Sequence, residues 1–124
     1  MNWINSCAVL LLLASLIFVP SCYYDNEEEL YPFVECDTTA VTYTETVLPV
    51  LENNCYVCHS AAANLGGITL EGYQNLLTYV NSGRFLGAIR RQEGFSPMPQ
   101  NASQLPDCTL DQIEAWINLG APEN

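Results

Sequence analysis

The sequence predicts an all-α fold for the body of the chain, residues 41–124. Apolar residues recur there at the 3.6-residue spacing of a helix in four separate stretches, and no stretch alternates as a half-buried strand does. Cap and stop residues also fall at the ends of those stretches.

The first stretch covers residues 43–53, where Tyr43, Val47, Val50 and Leu51 share one helical face. Thr42 and Glu45 have the spacing of a capping box. Pro49 is an interior breaker, so this helix is expected either to kink there or to begin later. The second, "TLEGYQNLLTYV" (69–80), carries Leu70, Tyr73, Leu76, Leu77 and Val80 in the same period, and "NSG" stops it. The third, "RFLGAIRR" (84–91), is short, with Phe85, Leu86 and Ile89 apolar. In the last, Thr109 and Gln112 form a T-x-x-Q box, Leu110, Ile113, Trp116 and Ile117 make the buried stripe, and Gly120 is the stop. Between the third and last helices lies an unpatterned loop, "QEGFSPMPQNASQLPDC" (92–108). A loop that long in a small domain usually has a function.

The 124 residues suffice for one domain. Residues 1–21 read as a signal peptide apart from it. The apolar run "CAVLLLLASLIFVP" suits the core of an export signal better than a full membrane span. Val19-Pro20-Ser21-Cys22 resembles a bacterial lipobox, whose cysteine becomes the lipidated first residue of the mature protein. Pro20 and the lack of Lys or Arg in residues 1–6 depart from that pattern, and a plain cleaved signal or an uncleaved anchor stays open. Every alternative exports the domain, to the periplasmic side or the surface of a bacterial envelope, where free thiols rarely persist.

Residues 22–40 read as an acidic tether. The chain's formal charge is −11, with three Arg and no Lys. Eight Asp or Glu fall in residues 22–54 without a single base, "YYDNEEELYP" among them. A chain so charged is not a nucleic-acid binder, because that binding rests on neutralising phosphates.

The chemistry concentrates in Cys55-Tyr56-Val57-Cys58-His59. As a zinc site the three ligands are crowded, and with one His in the chain no second ligand couple exists. A redox dithiol would want a strand before the motif and a parallel sheet around it, where a helix is expected. Covalent haem suits each residue: the thiols add across the two vinyl groups and the histidine reaches the iron. A sixth ligand is then needed or the iron stays open. The mature chain offers no other His, no Lys and one methionine, Met98, held between Pro97 and Pro99 in the long loop.

Taken together, Cys55-Tyr56-Val57-Cys58-His59, then "SPMPQ", then "LDQIEAWINLGAP" resemble a small class I cytochrome c over residues 41–122. The resemblance implies a cytochrome c-like fold whose first and last helices cross, with one haem c between the motif helix and the methionine loop. It makes Cys55 and Cys58 the thioether attachments and His59 and Met98 the axial ligands. With those helices crossing, Cys36 and Cys108 are expected as a disulfide, worth roughly 4 kcal/mol for a loop of about 70 residues. Many such cytochromes ring the haem with lysines, and this chain has none. Arg90 and Arg91 are candidates for a haem propionate, or are plain surface charges.

The expected function is therefore single-electron transfer between redox donor and acceptor proteins, on a lipoprotein anchored to the membrane at Cys22, with no catalysis. Two alternatives stand beside it. One is a haem enzyme or small-ligand binder with an open sixth position. The other is a surface lipoprotein without haem whose cysteines are all disulfides.

Overall fold

The computed structural model describes residues 36–124. The signal, the lipobox Cys22 and the tether as far as residue 35 lie outside the described residues. Among the described residues there are helices and turns and no strand. None of these helices is long and apolar enough to cross a membrane.

The first helix opens as a π-helical turn, Tyr43–Val47, and continues as α1, Leu48–Asn54. The winding changes from π to α immediately before Pro49, the second residue of α1, which has no N–H to donate to the turn behind it. Thr42 caps the start, its hydroxyl accepting from Glu45 N–H at 3.0 Å. The reciprocal half of the box is supplied by another residue, because Thr42 N–H donates to the Thr46 hydroxyl at 3.2 Å.

α2, Tyr56–His59, is a single turn that follows directly. A short 3₁₀ turn, Leu65–Gly67, leads to α3, Tyr73–Asn81, and α4, Arg84–Ile89, packs against α3. The second helix therefore starts four residues later than the expected Thr69. Gly72, at φ 89°, lies outside the helical region and sets the boundary, and Leu70 is buried from extended chain before it.

α5 runs Asp107–Asn118. The expected box at its start is absent: Thr109 lies inside the helix, two residues beyond its first. The helix begins after Pro106 with Asp107 in its first turn, where a negative charge suits the helix dipole. Gln112 instead donates from Nε2 to the Asp37 carbonyl at 3.0 Å. The far end matches the stop expected at Gly120. Gly120 N–H bonds Ile117 O, Ala121 N–H bonds Trp116 O, and Gly120 takes φ 91°, which together make a Schellman cap.

The core joins these elements. Val47, Leu51, Leu76, Leu110, Ile113 and Trp116 are wholly buried, with Phe85, Ile89 and Val80 close to it. First and last helices meet through Tyr43, whose ring centroid lies 6.0 Å from that of Trp116 and 5.2 Å from Tyr73. Cys36 and Cys108 are disulfide-bonded, S–S 2.05 Å. With Gln112 on Asp37 and Val41 buried, that bond fixes the segment before the first helix onto α5. The chain's last residues return to the same place: Asn124 accepts Tyr43 N–H through Oδ1 at 2.8 Å and Thr44 N–H through its main-chain oxygen at 2.9 Å.

Candidate functional site

The motif residues are set by one turn of backbone. Cys58 N–H and His59 N–H both donate to the Cys55 carbonyl, at 3.1 and 2.8 Å. The i, i+3 spacing puts the two cysteines on one face of that turn, with His59 next to Cys58. Both thiols are free and half-buried, whereas Val57 between them is 80% exposed. Burial first, and then the neighbouring Cys58, push the Cys55 thiol up to about 11. A thiol-exchange dithiol has the opposite need, a lowered thiol that is anionic near neutrality. A helix precedes the motif and the described residues hold no strand, which weighs against the redox-dithiol reading.

His59 is gripped twice by the chain that follows. Its Nδ1 lies 3.2 Å from the Ile68 carbonyl, and its own carbonyl accepts Leu70 N–H at 2.8 Å. A carbonyl can only accept, so this contact assigns the proton to Nδ1 and leaves the Nε2 lone pair free. That is the arrangement of a metal-ligating histidine whose second nitrogen is oriented by backbone. No residue pattern announces the Ile68 partner, since any residue carries a carbonyl. Glu71 supports the intervening loop, its carboxylate accepting Ala61 N–H at 2.7 Å.

Met98 is placed separately, on the loop after α4. It is half-buried against the same core as Cys55, and its N–H donates to the Ala88 carbonyl at 3.0 Å. The loop's base is closed by Arg91, whose Nη2 donates to the Ala102 carbonyl at 2.6 Å, and by Gln104 on the Ile89 carbonyl at 3.4 Å. Arg90, the other propionate candidate, uses Nη2 to reach Asp111 at 2.7 Å and Glu114 at 2.6 Å on α5. Its Nε is buried without a partner. Among the described residues, no group of three or more His, Cys, Asp or Glu converges as a metal cage would. Haem asks for less, because the porphyrin supplies four of the iron's ligands itself.

Compared with known proteins, the chain matches no family model, no curated protein and no solved structure.

Proposed function

We propose that the described residues form a mono-haem c-type cytochrome domain, a carrier of single electrons. One observation carries the reading. Two free thiols stand one helical turn apart, beside an imidazole whose Nδ1 is taken by the Ile68 carbonyl. The residues present fit the group. Cys55 and Cys58 would form the thioethers, His59 Nε2 would be one axial ligand and the Met98 thioether the other. Disulfide bonding of Cys36 to Cys108 leaves these two as the free thiols of the described residues, and thioether formation would protect them in an oxidising compartment.

When bound, haem supplies an iron that alternates between ferric and ferrous. The chain supplies the rest. Ile68 fixes the ring plane of His59 and raises its basicity as a ligand. Met98 offers a soft donor that favours ferrous iron and so a higher potential. Pro97 and Pro99 limit the freedom the loop loses in presenting it. In the same reading, lipid on Cys22 holds the domain at a membrane, and its donor and acceptor proteins meet an acidic chain without lysine.

The test is expression with a c-type maturation system, followed by a haem stain after denaturing electrophoresis. The full chain should stain, and Cys55→Ala with Cys58→Ala should not; covalent haem in the double variant would overturn the attachment. Met98→Ala should keep its covalent haem and lose the weak red band of ferric haem bound to sulfur. Its potential should drop, and it should bind carbon monoxide faster than the parent. A parent that lacks the band and binds carbon monoxide as fast as Met98→Ala would instead have an open sixth position. Cys22→Ala should move the protein to the soluble fraction, and retention on membranes would point to the apolar run as an uncleaved anchor.

A further inference from the structure

Gly87, in the middle of α4, is buried under Phe95. A Cβ placed on Gly87 would lie 2.6 Å from Cδ2 and Cε2 of Phe95 and 2.8 Å from its Cγ. Atoms do not approach that closely, so the ring occupies the space any other residue's side chain would need. The backbone gives no reason for glycine here. The other six described glycines have positive φ, whereas Gly87 has none and sits in ordinary helix. Inside a helix, glycine is less favourable than alanine because it has more backbone freedom to lose. The contact with Phe95 accounts for it.

Phe95 lies three residues before Met98, on the same loop. The loop closes on α4 through its amides: Gln92 N–H donates to Gly87 O at 2.9 Å, Phe95 N–H to Gln92 O at 3.2 Å, and Met98 N–H to Ala88 O at 3.0 Å. The Gln92 bond, with Arg91 N–H on Ala88 O at 3.2 Å and Arg91 at φ 54°, is the Schellman cap of α4, and the Met98 amide adds a second hydrogen bond to Ala88 O that ties the loop to the end of the helix. The Phe95 ring sets how far the loop stands from the helix, and the Met98 amide is tied one residue beyond the ring's seat.

We propose that Gly87 and Phe95 are positioning residues for Met98: the ring seated on the bare Cα fixes the loop height at which the thioether is presented as axial ligand. This rests on the haem reading above. Gly87→Ala should lift Phe95, and with it the segment from Gln92 to Met98, and weaken the sulfur–iron bond without touching His59 or either thioether.

The experiment uses the full haem-loaded chain and compares four proteins: the parent, Gly87→Ala, Phe95→Leu, and Gly87→Ala with Phe95→Leu. Three readouts are taken: the red sulfur band of the ferric form, the midpoint potential, and the rate of carbon monoxide binding to the ferrous form. Gly87→Ala should lose much of the band, lower the potential and speed carbon monoxide binding by about tenfold, the scale of an overpacked contact. Covalent haem content should not change. The double variant should recover the band, because the smaller leucine makes room for the added methyl. Should Gly87→Ala fail to fold, Phe95→Leu still decides, since Phe95 is 38% exposed and its change spares the core; it should weaken the band by removing the ring. A parent that shows the band, with Gly87→Ala and Phe95→Leu matching it in all three readouts, overturns this inference alone. Failure of the double variant to recover also overturns it. A parent with covalent haem and no band overturns Met98 ligation, and this inference with it.

Discussion

At the end of the domain where the Tyr43–Val47 turn meets α5, side chains are enclosed and their polar atoms have partners. Val47, Leu110, Ile113 and Trp116 are wholly buried, Trp116 Nε1 donates to the Pro122 carbonyl at 2.9 Å, and the Tyr73 hydroxyl to the Ala121 carbonyl at 2.7 Å. At the motif, Tyr56–His59, no residue is buried, and the turn is held by backbone hydrogen bonds. The difference separates stability from chemistry. Disulfide, aromatic stack and residues 121–124 meet at the enclosed end, while the free thiols, the imidazole and Met98 are only half-buried at the margin of the same core. On the proposed haem reading, changes at the enclosed end should therefore move the melting temperature and leave the haem spectrum alone.

The largest effect is expected from Trp116→Ala. Removing a wholly buried Trp costs about 3–5 kcal/mol, a large share of what a small domain has. Thermal unfolding followed by circular dichroism should show a midpoint at least about 10 °C lower. On the same reading covalent haem should remain, because neither Cys55 nor Cys58 changes. A variant that melts with the parent would break the comparison at its root.

Next comes Cys36→Ser with Cys108→Ser. The bond closes a loop of 72 residues' separation, and opening it should cost about 4 kcal/mol on the chain-entropy account. The red sulfur band should be unchanged. Loss of that band would show that the disulfide shapes the methionine loop as well as the enclosed end.

Much of the enclosed end was legible in the sequence and little of the motif's support was. Leu110, Ile113 and Trp116 could be read as buried because three helical positions facing one way leave periodicity no other answer. The cap at Thr42 was legible in part, because its hydroxyl needs only a backbone N–H three residues on. The same pattern misled at Thr109, where Pro106 and Asp107 start the helix earlier and Gln112 finds a carbonyl 75 residues away in the chain. The later start of the second helix was also missed, since Leu70 keeps the helical period without being helical. The Ile68 carbonyl and the seat of Phe95 on Gly87 depend on backbone position and on the lack of a side chain, and neither leaves a pattern in residue types.

A smaller effect should follow Thr42→Ala. Its hydroxyl accepts Glu45 N–H at the start of the first helix, and loss of such a cap costs about 1 kcal/mol. Urea unfolding should show a lower midpoint with unchanged slope, and again no spectral change. Thr42→Ser should recover most of the loss; if it does not, the methyl group rather than the hydroxyl carries the effect.

The smallest effect belongs to a place where the two regions meet on the shared core, the tyrosines Tyr43 and Tyr56. Tyr43 is buried at the enclosed end, and Tyr56, the first residue of α2, packs half-buried against the same core. Burial raises the Tyr43 phenol; burial and then the charge of Tyr43 push Tyr56 up to about 12. Both shifts favour the neutral form in the folded protein. An unfolded tyrosine ionises near 10, so the stabilisation is complete below that pH and is lost as pH rises from 10 towards 12. Melting temperature should thus be flat from neutrality to about pH 9 and fall steeply above pH 10. Tyr56→Phe should flatten the alkaline fall, because the group with the higher value no longer titrates. The pair also predicts an order of events. If it couples the enclosed end to the motif, the red sulfur band and the helix signal should fade together as pH rises in the parent and separate in Tyr56→Phe. Fading at different pH already in the parent would mean that the two regions are independent even where they meet.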